Sequence, residues 1–204
     1  MGVRRSPLVR TPLWWFSEGM QRRLVLAVTT DEYECVSLAF NSDGTLLAVG
    51  KSNGMVGIWD VRAGEAVRHF LHDLLGGPVR AVAFSADGRL LATAGADRHL
   101  KVRNLRTGKV ILRREHPGEV VAVAFDPAGD LIATACTDGV LRVWSRAGKV
   151  ESQVDGGCSA STRSVAFSPN GAVLAGPATE AATPDGSLVA TTTGNEIKVL
   201  RPAA

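Results

Sequence analysis

The hydrophobic and polar positions of this chain repeat every 41 to 44 residues. Each repeat begins with a short apolar run that ends in a phenylalanine, and a glycine follows four residues later. The phenylalanines are Phe40, Phe84, Phe125 and Phe167. Because self-similarity at a fixed period of this length is typical of repeat architectures, the pattern predicts several copies of one structural unit.

Within a unit, four short runs alternate with turn signals. Residues 80–105 read RAVAFSADGRLLATAGADRHLKVRNL, and KVILRR follows at 109–114. The runs are short, rich in Val, Ala and Leu, and separated by ADG, ADR and RTG, which are typical of tight turns between antiparallel strands. We name the strands a, b, c and d in chain order. The pattern predicts an all-β fold.

The repeats divide the chain. A basic N-terminal extension covers residues 1–23, and the predicted repeat domain covers 24–204, with units at 35–70, 79–114, 120–154 and 163–201. The run LVLAV at 24–28 aligns with strand d and could complete another unit as a closing strand.

Strand c ends in Trp59-Asp60, Arg103-Asn104 and Trp144-Ser145 in the first three units. With the period, these pairs resemble the WD-repeat β-propeller family, whose blades contain about 40–45 residues. The resemblance implies about four blades of four antiparallel strands, in a partial or small propeller. It also implies a buried hydrogen-bonded set of His, Ser or Thr, Asp and Trp in each blade.

The third unit supplies all four members of that set, which are His116, Thr134, Asp138 and Trp144. The second supplies Thr93 and Asp97, and His72 could join them, but Arg103 stands in place of Trp. The first has Asn53 and Trp59, with Val49 and Asp31 at the other two positions. We interpret these residues as structural rather than catalytic, because buried polar groups are satisfied internally.

The fourth unit departs from the pattern after Gly171, because the next turn glycine, Gly186, follows 15 residues later. It is either a compact blade with an irregular loop, which we favour, or two blades fused by a lost stretch. A seven-bladed ring needs about 290 residues. The chain therefore predicts a small ring, an open arc, or self-association that completes a propeller.

Charge, cysteine content and hydropathy limit the classes of function that are expected. The net charge is +3, but residues 1–23 alone carry a net +4, so a basic stripe for nucleic acid is not expected on the repeats. Three cysteines without CxxC spacing indicate reduced thiols and a cytoplasmic protein. No apolar run is long enough to span a membrane. Trp14, Trp15 and Phe16 could pack on the propeller or anchor a partner.

No catalytic, cofactor or metal motif emerges. Gly50-Lys51-Ser52 has the wrong spacing from Gly44 for a phosphate-binding loop and lies in a hairpin. His69 and His72 are three residues apart at a strand end, so their side chains point to opposite faces.

The sequence therefore predicts a protein–protein interaction scaffold without catalysis, with a protein or peptide partner. The alternative is a sensor fragment of a larger bacterial signalling enzyme, a kinase or an NTPase, that carries such repeats. By resemblance, the binding face lies where strand a begins and the b–c turn ends. The residues at these positions are Glu34, Val36, Ser52, Pro78, Arg80, Ala96, Glu119, Val121, Thr137, Ser161 and Arg163.

Overall fold

The computed structural model describes residues 33–72 and 77–155 continuously. Beyond them it describes five strands, which are β13 (Ser164–Phe167), β14 (Val173–Gly176), β15 (Ala181–Ala182), β16 (Val189–Thr193) and β17 (Glu196–Leu200). The predicted strand at 24–28, the basic extension and the segment from Trp14 to Phe16 lie outside the described residues.

The continuous part forms three separate antiparallel sheets of four strands, each in simple chain order. We call them blade 1 (β1–β4), blade 2 (β5–β8) and blade 3 (β9–β12). Their strands are β1 (Cys35–Phe40), β2 (Leu46–Lys51), β3 (Met55–Asp60), β4 (Glu65–Leu71), β5 (Val79–Phe84), β6 (Leu90–Gly95), β7 (His99–Asn104), β8 (Val110–Glu115), β9 (Val120–Phe125), β10 (Leu131–Cys136), β11 (Val140–Ser145) and β12 (Val150–Asp155). Each blade ends within one residue of the end of its predicted unit.

The a–b turns explain the regular glycines. Gly44, Gly88 and Gly129 have φ angles of 71°, 66° and 78°, a conformation in which a side chain would be strained. The residue after each phenylalanine then closes the turn. For example, the Asp126 carboxylate accepts a 2.7 Å hydrogen bond from the Leu131 amide. The hairpins therefore form from local sequence alone.

The core lies between the blades. Strand a of each blade packs on strands a and b of the preceding blade, so that β5 lies against β1 and β2, and β9 lies against β5 and β6. Between blades 1 and 2, Ala48, Val56 and Ile58 meet Val82 and Leu91 in one buried cluster. Because each blade buries its faces against its neighbours, the stack, and not the single sheet, makes the hydrophobic core.

The fourth unit does not form one compact blade, contrary to the interpretation we favoured. Strands β13 and β14 make a two-stranded sheet, and β15, β16 and β17 make a separate three-stranded sheet. β13 packs on β9 and β10 as a strand a would. The sequence offers a reason of length: nine residues separate Gly176 from Gly186, fewer than two more strands with their turns require. The alternative, that a lost stretch fused two blades, stays a prediction.

Candidate interaction rim and buried polar networks

The predicted binding positions of the three blades lie at one end of the a–b pairing. In each blade, an amide at the b–c turn donates a hydrogen bond to a carbonyl just before strand a. These bonds are Ser52 N to Glu34 O at 2.9 Å, Ala96 N to Pro78 O at 3.1 Å, and Thr137 N to Glu119 O at 2.9 Å. The positions are thus equivalent in structure, and we call the surface they form the rim.

Three rim residues share a backbone feature. Val36, Arg80 and Val121 are each skipped in the pairing of strands a and b, so each is the extra residue of a β-bulge. A bulge re-aims its side chain and bends the strand locally, and bulges are common at binding edges. The sequence pattern aligned these positions but did not reveal the bulge, since an extra residue in every blade leaves the repeat period unchanged.

The rim carries one ion pair between blades. The guanidinium of Arg80 in blade 2 lies 3.3 Å from the carboxylate of Glu119 at blade 3, and both side chains are 41% exposed. An exposed pair of this kind contributes at most about 1 kcal/mol to stability, so both charges stay accessible to a partner at little cost. Ser161 and Arg163 lie outside the described residues.

The most complete buried network lies in blade 2. Nδ1 of His72 is 2.8 Å from the Thr93 hydroxyl, and Nε2 is 2.9 Å from the Asp97 carboxylate. Because a carboxylate only accepts, Nε2 donates to Asp97. The Lys101 ammonium donates a second hydrogen bond to Asp97 at 2.7 Å. Burial acts to raise the pKa of Asp97, but the hydrogen bonds from His72 and Lys101 prevail and hold that pKa well below its usual value.

Blade 3 joins three of its four predicted members. The Thr134 hydroxyl lies 3.0 Å from Nε2 of His116 and accepts a 2.9 Å hydrogen bond from the Trp144 indole. The expectation that Asp138 belongs to this set was wrong. Asp138 instead binds the Arg142 guanidinium at 2.7 Å, and Nδ1 of His116 is buried without a partner. The two histidines are turned differently: in blade 2, Nδ1 faces the threonine and Nε2 faces the carboxylate, whereas in blade 3 Nε2 faces the threonine and Asp138 pairs with Arg142 instead.

The pKa of His116 follows from this arrangement. Burial lowers it from 6.5 to about 4, and the positive charge of Arg142 acts in the same direction. His116 is therefore neutral at physiological pH. Both network histidines are almost inaccessible to solvent.

The described residues of blade 1 do not form the network, as its sequence indicated. Trp59 Nε1 is buried without a hydrogen-bond partner, because Val49 stands where the other blades have a threonine. Arg103, at the tryptophan position of blade 2, stacks 4.1 Å above the Phe70 ring of blade 1 and donates a 2.6 Å hydrogen bond to Gly108 O. The guanidinium thus replaces an indole as the contact between two blades.

The aligned Asn53, Asp97 and Asp138 share a local role that the sequence analysis missed. Each side-chain oxygen accepts a hydrogen bond from the amide two residues later, at 3.0–3.1 Å, and so closes the b–c turn. The signal was present, because Asn and Asp both make such turns. What the three residues have in common is the turn, and only Asp97 reaches a histidine.

Within the described residues, no group of three or more His, Cys, Asp or Glu side chains is placed to hold a metal ion. The same part of the chain contains no helix long and apolar enough to cross a membrane.

Four-stranded sheets packed through their a strands, with tryptophans at the end of strand c, define a WD-type β-propeller protein. The comparison with known families agrees. The family described as the β-propeller of the nucleolar protein 10-like N-terminal domain matches residues 17–143, more than half of the chain. The chain therefore belongs to the WD-repeat β-propeller family, and the predicted all-β fold class is confirmed.

Individual relatives match over shorter stretches. WD repeat-containing protein SL1-17 of Schistosoma mansoni is 47% identical over 75 residues, which are 37% of this chain and 24% of that protein. THO complex subunit 3 of Arabidopsis thaliana is 30% identical over 77 residues, 38% of this chain and 24% of that protein. Pre-mRNA-processing factor 19 homolog 2, also of Arabidopsis thaliana, is 39% identical over 92 residues, which are 43% of this chain and 17% of that protein. The matched segments thus span a quarter or less of each relative.

Proposed function

We propose that this protein is a non-catalytic interaction scaffold whose rim binds a protein or peptide partner. The observation that carries the proposal is the rim itself, where three blades place bulged residues at equivalent backbone positions, with Val36 and Arg80 exposed and Val121 partly buried. A rigid sheet framework presents such residues without a large ordering cost on binding.

The charge and hydrogen bonding of the rim favour a polypeptide as the partner. Arg80 and Glu119 offer one cation and one anion side by side, and arginine is enriched at binding hot spots. Val36 adds exposed apolar surface to the rim, whereas Val121 is partly buried against the core of blade 3. One relative, THO complex subunit 3, is by its name a member of a protein complex.

The alternative of a sensor fragment of a bacterial signalling enzyme has no observation in its favour. None of the three relatives named above is bacterial, and none carries an enzyme's name. The cytoplasmic location stays a prediction, which fluorescence microscopy of the tagged full chain in its own cells would test.

The test uses the purified full chain and a phage-displayed library of random peptides as the probe. Selected peptides are synthesised, and their affinities for wild type, Arg80→Glu and Arg89→Glu are measured by fluorescence anisotropy. Arg89 is the matched control because its side chain is 83% exposed and lies in the a–b turn, away from the rim. We expect Arg80→Glu to weaken binding by about tenfold or more and Arg89→Glu to change it less than about twofold.

The double charge swap Arg80→Glu/Glu119→Arg separates partner contact from local structure. It restores an ion pair but reverses the positions of its charges. Wild-type affinity in the swap would mean that the pair acts only within the protein, and equal losses in Arg80→Glu and Arg89→Glu would dismiss the rim as the binding surface.

A further inference from the structure

Positive charge is concentrated in blade 2. From the start of β5 to the end of β8 the chain has nine Lys or Arg residues and three Asp or Glu residues, a net charge of +6. Blade 1, from β1 to β4, has three of each sign, and blade 3, from β9 to β12, has a net charge of −2. The small net charge of the repeats therefore conceals one strongly basic blade between two blades that are not basic.

A cavity opens at the end of blade 2 that lies opposite the rim, between the a–b turn and the c–d turn. Its volume is about 540 Å³, within the range of small-ligand pockets, and it is lined by Gly88, Arg89, Asn104, Leu105 and Arg106. Leu105 also packs against the buried cluster between blades 1 and 2, and both arginine side chains are exposed. The cavity thus combines an apolar contact with two guanidinium groups.

The c–d turn shows why the charge of Arg106 is not offset. In blade 1, the Asp60 carboxylate closes this turn by accepting hydrogen bonds from the amides of Arg62 and Ala63, at 2.8 and 2.7 Å. In blade 2, the side-chain oxygen of Asn104 accepts the equivalent bond from the Thr107 amide at 2.9 Å. The turn of blade 2 therefore keeps its hydrogen bond but lacks the negative charge that lies near the arginine in blade 1.

The acid beside the cavity is already occupied. The Asp87 carboxylate accepts hydrogen bonds from the Ser85 hydroxyl at 2.6 Å and from the Arg89 amide at 3.1 Å, and it lies 3.9 Å from Nε of Arg89. Asp87 therefore offsets part of the charge of Arg89. Among the described residues, no carboxylate lies within 4 Å of the Arg106 guanidinium.

Two more arginines reach the same c–d turn. Nη1 of Arg68, which is on β4 of blade 1, lies 2.8 Å from the position that a Cβ would take at Gly108. Arg103 donates a hydrogen bond to the Gly108 carbonyl, and burial together with the charge of Arg68 lowers the pKa of Arg103. Because like charges this close repel one another, the turn favours an anion that comes from outside the protein.

We propose that this cavity binds a short acidic segment of a polypeptide partner, at a site separate from the rim. Carboxylates match guanidinium groups in charge and in bidentate geometry, and an apolar side chain of the segment contacts Leu105. The segment is short because the neighbouring blades have a net charge of zero or below, so a long polyanion gains no further attraction outside blade 2. A nucleic acid fits less well, since single strands bind by stacking on aromatic rings and none of the five lining residues is aromatic.

The probe is a fluorescein-labelled peptide with two Glu on each side of a central Leu, and its matched control has Gln in place of every Glu. Both are titrated with the purified full chain and followed by fluorescence anisotropy. We expect saturable binding of the Glu peptide with a Kd below about 1 mM that weakens as the salt concentration rises, and binding of the Gln peptide about tenfold weaker or less.

Three variants test the site. Arg106→Glu should weaken binding of the Glu peptide by about tenfold or more. Arg62→Glu is the matched control, because it makes the same change of net charge at the same turn position in blade 1, and it should alter the Kd less than about twofold. Asn104→Asp gives blade 2 the turn carboxylate of blade 1 and keeps an oxygen for the Thr107 amide, so it should weaken binding by about threefold or more without lowering Tm. Circular dichroism checks that each variant is folded.

The cavity and the rim are distinguished by opposite patterns. A peptide bound in the cavity loses affinity in Arg106→Glu, whereas a peptide bound at the rim loses affinity in Arg80→Glu. Equal affinities for the Glu and Gln peptides, or equal losses in Arg62→Glu and Arg106→Glu, would overturn the proposal. So would a Glu peptide that responds only to Arg80→Glu, or a short oligouridylate that binds more tightly than the Glu peptide and is lost in Arg106→Glu, since the partner would then be a nucleic acid.

Discussion

The blade 2 network supplies a prediction that separates the structure from the sequence pattern. The pattern assigned the complete set to blade 3, so it implies that Asp138→Asn is the more damaging change. The structure implies that Asp97→Asn is. Both substitutions keep the shape of the side chain and an oxygen that can accept the amide hydrogen bond of the b–c turn.

The expected magnitudes follow from the contacts. The Asp97 side chain is 7% exposed. It accepts a hydrogen bond from His72 at 2.9 Å and a charge-assisted one from Lys101 at 2.7 Å. Removing one partner of a buried ionic group costs about 3–5 kcal/mol. Asp138 is 16% exposed and holds a single cation, Arg142, so we expect about 1–2 kcal/mol. For a chain of this size, these losses correspond to shifts in Tm of roughly 10 °C and 4 °C.

The assay is urea and thermal unfolding at pH 7, followed by far-UV circular dichroism, on wild type and both variants. Lys101→Met, alone and combined with Asp97→Asn, completes a double-mutant cycle that isolates the Lys101–Asp97 interaction from other effects of each substitution. An Asp138→Asn variant that loses as much stability as Asp97→Asn, or more, would refute the assignment of the complete network to blade 2.

Three further predictions concern blade 3. Burial lowers the pKa of His116 from 6.5 to about 4. Between these two pH values the unfolded chain protonates this histidine and the folded chain does not, so the free energy of unfolding should fall by about 3 kcal/mol as the pH drops from 6.5 to 4. Urea unfolding at several pH values should show this slope in wild type and a flatter profile in His116→Gln; equal slopes would contradict it. Thr134→Val leaves His116 Nε2 and Trp144 Nε1 without their hydrogen-bond partner and should lower the free energy of chemical unfolding by about 2–4 kcal/mol. Thr134→Ser keeps the hydroxyl and should keep most of the stability; similar losses in both variants would mean that packing, not hydrogen bonding, is responsible. Gly148→Ala should lower Tm more than Gly129→Ala does, because both glycines have positive φ but only at Gly148 would a Cβ displace the Arg114 guanidinium, and equal shifts would dismiss that contact.

The hairpins and their boundaries follow from the sequence alone, for a local reason. The glycine after each phenylalanine, the Asn or Asp of the b–c turn and the alternating apolar runs act within a few residues of one another. The same local logic placed the equivalent rim positions at one end of the blades, because the repeat period brings them into register. The sequence also predicted that blade 1 lacks the hydrogen-bonded network, since the side chain of Val49 has no polar atom.

Tertiary structure decided the rest. Whether Asp97 or Asp138 reaches a histidine depends on how the imidazole is placed, and His72 comes from a segment 25 residues away from Asp97. The cations Lys101 and Arg142, by contrast, lie only four residues along the chain from their carboxylates. The division of the fourth unit into two sheets likewise depends on which strands find partners. The sequence by itself determined the blade as a unit, because its turns and strands are local. The packing between blades determined which polar groups are satisfied, because that depends on neighbours that no single repeat contains.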